Sequence, residues 1–226
     1  MKFLPFLLLA LPAFGFGTGG ALAPISLYVH FDHDAAPEVV LAIEGELKAI
    51  MAPIGLSFVW RDLASADGST TSVELAVISF KGSCSLEGIS QRNFNPGRLG
   101  WTHVSDGVIL PFADVNCSAV REFTQRELLA VRPADRIQVY GKAVGRVLAH
   151  ELYHIFANTR HHGSEGVGRE YYTVNDLTTA DFQFQARESM ALKNSKVYDI
   201  LAAAGDDTET RLPERGTATV IEKIQL

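Results

Sequence analysis

The stretch Val147-Leu148-Ala149-His150-Glu151-Leu152-Tyr153-His154-Ile155-Phe156-Ala157 contains a single formal charge, that of Glu151. The run reads as part of a largely apolar helix. Residues i and i+4 share one helix face; His150 and His154 therefore point the same way, with Glu151 one step round. The helical pattern begins near Ala134, just after Pro133, and runs to about Ala157. His161 and His162 follow at once, so that four of the chain's seven histidines lie between positions 150 and 162.

Upstream, Ile25 to Phe31 is rich in strand formers, and Asp34-Ala35-Ala36-Pro37-Glu38 has the look of a helix start with Asp34 as its cap. Val39, Val40, Ile43, Leu47 and Ile50 recur at helical spacing until Pro53-Ile54-Gly55 ends the run. Two strand-like runs follow, Leu56 to Trp60 and Val73 to Phe80, separated by a polar turn from Ala64 to Ser72. The Gly-, Ser- and Asn-rich stretch from Lys81 to Arg98 reads as a long surface loop. Leu99 to Val104 and Gly107 to Phe112, around Ser105-Asp106-Gly107, form an expected hairpin at a sheet edge, and Cys117 to Val131 a further helix. The fold class is therefore α+β: a mixed sheet with an antiparallel edge strand, packed on two or three helices that include the one bearing His150 and His154.

A chain of 226 residues, 47% hydrophobic and 20% charged, suits one globular domain, here residues 24–226. Its net charge of −6 and lack of a basic stretch disfavour nucleic acid as a partner. Met1-Lys2, an uncharged apolar stretch from Phe3 to Phe16, and small residues through Ala21-Leu22-Ala23 follow the pattern of a secretory signal peptide over residues 1–23, with Pro24 an awkward neighbour for a cut after Ala23. Pro5, Pro12 and the glycines from Gly15 to Gly20 oppose a stable spanning helix, so a secreted or periplasmic protein with no membrane association after signal removal is expected. The two cysteines, Cys84 and Cys117, then read as a disulfide between loops.

His150-Glu151-Leu152-Tyr153-His154 has the spacing of a zinc site. Catalytic zinc takes three protein ligands and leaves a fourth position for a water whose pKa falls to about 7. His150 and His154 are two such ligands, and Glu151, adjacent but not a ligand, is the general base for that water. An unpaired carboxylate in so apolar a helix is costly, and a metal-bound water accounts for it.

These five residues and the histidines after them resemble the zincin metallopeptidases, and within them the metzincin clan, where HExxHxxGxxH supplies three histidines and a methionine turn lies beneath the metal. The order of elements from Ile25 to Ala157 is similar to the N-terminal half of that family; the specific motif covers His150 to His162. The resemblance implies zinc as cofactor, a peptide or protein substrate added as a strand along Leu99 to Val104, and hydrolysis of its peptide bonds. The chain departs from the pattern at Ala157, where the family has glycine, and at Arg160, where it has the third histidine. Asn158 is able to take a left-handed conformation in place of that glycine. The third ligand is then His162, which precedes the permissive Gly163, with His161 the alternate.

Other candidates carry less. Glu165 and Glu170 are poorly spaced for a downstream glutamate ligand and read as surface carboxylates. Met190 fits a methionine turn or an ordinary core position equally well. Tyr171 and Tyr172 have the chemistry to assist a developing oxyanion, but packing is their expected role. His30, Asp32 and His33 alternate along a strand end and do not converge on a second metal, whereas His103, on the edge strand, is placed to face a cleft. The function expected is an exported zinc metallopeptidase; the rival is an exported zinc-binding interaction protein on the same scaffold without activity. Substrate specificity and oligomeric state are not legible.

Overall fold

The structure, a computed structural model, describes residues 25–66, 72, 74–89, 97–179, 182–195 and 199. The expected signal segment and the helix-like stretch from Val197 to Ala204 thus lie, but for Asp199, outside the described residues.

Five strands form one mixed sheet: β1 (Ile25–Phe31), β2 (Phe58–Asp62), β3 (Leu75–Lys81), β4 (Gly100–Ser105) and β5 (Val108–Asn116), in the order β2-β1-β3-β5-β4. The first four in that order run parallel, and β4 pairs with β5 antiparallel at the edge. The expected mixed sheet with an antiparallel edge strand is present. Ile25, Leu27 and Val29 of β1 and Ala76, Ile78 and Phe80 of β3 are buried on the face that packs on the helices, as the two-residue period of a strand requires. The hairpin turns at Asp106 and Gly107, both at positive φ, a geometry whose twist matches the strands it joins. β5 runs four residues past its expected end at Phe112. The reason is its position: beyond the hairpin it pairs with β3, from Val77↔Phe112 to Lys81↔Asn116, and becomes an interior strand. Pro111, which has no N–H for the ladder, falls where the β4–β5 register shifts between Thr102 and Val104.

The helices are α1 (Pro37–Met51), α2 (Cys117–Ala130), α3 (Arg136–Phe156), and the short α4 (Val174–Thr178) and α5 (Ala186–Lys193). Asp34 is not the cap of α1. The helix starts at Pro37, whose fixed φ suits the first turn and whose missing N–H needs no acceptor, and Ala36 precedes it without a side-chain cap. Cys84 and Cys117 are disulfide-bonded, joining the segment after β3 to the first residue of α2. No helix among the described residues is long and apolar enough to cross a membrane.

α3 lies in the middle of the core, with every residue from Tyr140 to His154 buried except Lys142. Two glycines on one of its faces set its distance from α1. A Cβ on Gly141 would strike Ala42, and one on Gly145 would meet Ile43 O and Glu46 Cβ at 2.9 Å, so α1 lies directly on the α3 backbone. Arg146, the residue after Gly145, is 1% exposed: its Nε donates to Glu46 Oε1 at 2.7 Å, its Nη1 and Nη2 to the carbonyls of Asp176 and Thr179 at 2.6 Å, and its guanidinium lies over the Phe182 ring. One side chain thereby ties α1, α3, α4 and the segment leading to α5. Replacing it leaves a partly buried carboxylate and two carbonyls unpaired, and Arg146→Ala is expected to lower unfolding stability by about 3–5 kcal/mol in urea titration.

Candidate metal centre

The C-terminal half of α3 carries the motif histidines, and the chain after it folds back to meet them. At the helix end Ala157 is still helical, and Asn158 takes φ 46°. The left-handed residue expected there is present one position later than the family's glycine. Thr159 N donates to His154 O at 3.1 Å, so the chain reverses tightly, and Thr159 O comes within 2.7 Å of His154 Nδ1. Val167 O stands 2.7 Å from His150 Nδ1 in the same way. A carbonyl only accepts, so both Nδ1 atoms must carry the hydrogen, which leaves both Nε2 atoms as lone-pair donors.

Those two Nε2 atoms are 3.0 Å apart. With both hydrogens on Nδ1 there is none to share between them, and two lone pairs at this separation repel unless a cation or proton lies between. Burial, reinforced by His154, lowers the His150 pKa to about 3, so a proton is a poor candidate at neutral pH. His154 is lowered too, again chiefly by burial. Ligands 2.0–2.1 Å from a tetrahedral metal lie about 3.3 Å from each other, close to the separation seen. His162 completes the set. Its ring stacks on that of His150 at 5.3 Å between centroids and meets that of His154 edge-on at 4.8 Å, and the ligand atoms of His150, His154 and His162 all lie within 4.8 Å of one another. His161 is not part of this group. The donor set therefore fits a metal ion.

Glu151 is 5% exposed and takes a hydrogen bond from Thr102 Oγ1 on β4, 2.8 Å from its Oε2. Burial pushes its pKa up to about 7, partly offset by the Thr102 bond and supported by the Asp114 carboxylate. Gly100 makes the close approach of β4 possible, because a Cβ there would lie 2.8 Å from both Glu151 Oε1 and Val147 Cγ1. Thr102 rather than His103 faces the helix, as alternation along β4 dictates; His103 turns to the other face of the sheet, its Nε2 2.6 Å from Asp114 Oδ2. The histidines and Glu151 open onto a cavity of about 730 Å³ whose apolar wall includes Leu99, Val104, Ile109 and Phe123.

The loop that brings His162 back is held from beneath by a residue not singled out in the sequence. Glu188 of α5 is 3% exposed and fills the space that side chains on Gly163 and Gly168 would occupy; a Cβ on Gly168 would lie 2.7 Å from Glu188 Cγ. Its Oε2 has no hydrogen-bond partner among the described residues. Gly163 N donates to Gly168 O at 2.6 Å, closing the loop that presents both His162 and the Val167 carbonyl. The glycines themselves were the available signal, though nothing in sequence pairs them with position 188. Tyr172 serves the same loop: its phenol donates to Val167 O at 2.5 Å and lies 2.8 Å from His150 Nδ1. That is the side of the imidazole away from Nε2, so Tyr172 positions a ligand rather than facing a reacting oxygen. Burial, followed by Glu151, raises its pKa well above the ordinary phenol value. Tyr171 is 75% exposed. Met190 is 57% exposed on helix α5, which rules out the core position considered for it and sets it on a helix rather than a turn. Glu165 and Glu170 are exposed, as surface carboxylates should be. His30 pairs weakly with Asp32 at 3.9 Å, and neither belongs to a metal-binding group.

Two tests follow from this geometry, both read by zinc titration against a competing chelator. His162→Ala is expected to lose more than the roughly 10–100-fold in affinity typical of an outer-shell change, and His161→Ala to lose little. Gly168→Ala, which displaces Glu188 and the loop, is expected to fall within that 10–100-fold range, whereas Gly45→Ala on α1, where a Cβ meets open space, leaves affinity unchanged.

Compared with protein-family models, curated proteins and solved structures, the chain matches none.

Proposed function

We propose that this protein is an exported zinc-dependent metallopeptidase of the zincin kind, hydrolysing peptide bonds at the site formed by His150, His154, His162 and Glu151. One observation carries the reading: two imidazoles held 3.0 Å apart by their unprotonated nitrogens, with a third imidazole beside them and a buried carboxylate on the next residue of the helix. A structural metal site is closed by a fourth protein ligand; here three histidines gather at a cavity, the arrangement of a site that keeps a position for water or substrate. A metal held there supplies a water acidified toward neutrality and polarises a carbonyl oxygen.

The protein's own residues account for the rest of the reaction. Glu151, with a pKa near 7, is matched to accept a proton from the attacking water and return it to the leaving amine. The Thr102 hydroxyl fixes the carboxylate's orientation by occupying Oε2. Val167 O and Thr159 O fix the tautomers and ring planes of His150 and His154. β4 is the sheet's edge strand, next to the cavity, and an extended peptide is suited to add along it by main-chain hydrogen bonds. A disulfide agrees with an oxidising compartment.

Glu151→Gln is expected to retain stoichiometric zinc and to lose peptide hydrolysis by about 100-fold or more. Zinc analysis and digestion of a mixed peptide library check it in parallel. Turnover retained in the variant overturns the mechanism, and bound zinc with no cleavage by the unaltered protein favours a binding module instead.

A further inference from the structure

We propose that the cleft selects substrates bearing a carboxylate close to the reacting bond, held by Arg98 and Arg160; this rests on the hydrolytic reading of the same site. Both arginines line the cavity. Arg98 stands two residues before Gly100, whose α-carbon abuts Glu151, and Arg160 follows Thr159, whose carbonyl holds His154. One cation thus belongs to the strand wall and the other to the loop wall, and a substrate crossing the metal centre passes both.

Neither guanidinium has a carboxylate partner among the described residues. Arg132, Arg146 and Arg169 are each paired with a carboxylate, at 2.7, 2.7 and 3.0 Å, while Arg98 and Arg160 have no ion pair or hydrogen bond among the described residues. Two carboxylates also line the cavity, Glu151 and Glu170, and neither pairs with Arg98 or Arg160 among the described residues; Glu151 instead takes the Thr102 hydroxyl. Both side chains are exposed, so water solvates them in the free protein, and an entering carboxylate is able to take the place of that water. Guanidinium is the side chain best matched to a carboxylate, which it meets with two parallel N–H donors. The remaining wall is apolar, so the substrate stretch is one in which an acidic group adjoins apolar residues. The acidic group has two possible sources, a Glu or Asp side chain or a free C-terminal carboxylate.

The test uses the full-length, zinc-loaded protein and one apolar peptide made with Glu, Gln or Lys at positions flanking the cleaved bond, each with a free and an amidated C-terminus. The expected result is a kcat/KM higher by roughly tenfold for Glu over Gln, lower still for Lys, and shrinking with added salt. Arg98→Gln or Arg160→Gln is expected to remove the preference while leaving zinc content unchanged. If Glu and Gln peptides with free ends are cleaved equally fast and both slow on amidation, the terminal carboxylate is the group bound. Equal rates for Glu and Gln peptides with no effect of amidation, or a preference that survives both arginine variants, overturns the proposal. If no peptide is cleaved, the hydrolytic reading fails by itself. Fluorescence anisotropy of the same panel on Glu151→Gln protein then decides the anion preference, with equal affinities for Glu, Gln and Lys peptides overturning it.

Discussion

The close contact of α1 with α3 is the constraint on which the rest of the structure depends. Gly141 and Gly145 have no side chains to hold the helices apart, so Ala42, Ile43 and Glu46 rest on the α3 backbone and fix its depth and rotation. With that rotation fixed, one face of α3 meets α1, another meets the sheet, and His150 and His154 are left pointing toward the cavity. Arg146 lies in the same stretch and is itself buried, so the rotation that places the histidines also places the guanidinium against Glu46 and the carbonyls after α4. The site's geometry is thus a consequence of how one helix is packed, and a change at the α1 contact is felt at the histidines.

Polar groups are gathered in the interior at a cost the apolar core alone does not explain. His150, His154, Glu151 and Glu188 are all less than 10% exposed. Carbonyls satisfy the imidazole Nδ1 atoms and Thr102 satisfies one oxygen of Glu151. Among the described residues the facing Nε2 atoms have only each other, and a cation between them would turn their repulsion into binding energy. Glu188 differs. It is wedged under the loop by shape, between two glycines, and its outer oxygen has no partner among the described residues. A metal held by the three histidines would therefore be coupled to folding through the loop from His162 to Arg169, which carries one imidazole and the carbonyl that orients another.

Much of this organisation is visible in the residues before any folding is considered. The strand at Ile25 to Phe31 and the helix ending near Ala157 need only local patterning, and both fall where that patterning places them. Asn158 at positive φ is likewise a local property, since few residues other than glycine accept that conformation. Two local expectations fail, one through a residue three places on and one through a distant strand. Asp34 has the chemistry of a cap, yet Pro37 makes one unnecessary; β5 extends past Phe112 because β3 lies alongside it. Thr102, Glu188 and Tyr172 have no motif at all, because each matters through a partner distant in sequence, namely Glu151, the Gly163–Gly168 loop and His150.

What the sequence by itself determined is the chemistry: an apolar helix with imidazoles at i and i+4 brings them to one face whatever surrounds it, because that follows from helical periodicity. Tertiary structure alone decided which later histidine joins them, since His161 and His162 differ by one position in a loop and the choice depends on the bond between Gly163 and Gly168 and on Glu188 filling the space beside them. It likewise decided which residue of β4 reaches Glu151, because the register of an edge strand against a helix is set by packing and by the approach Gly100 permits, neither of which is encoded within the strand's own residues.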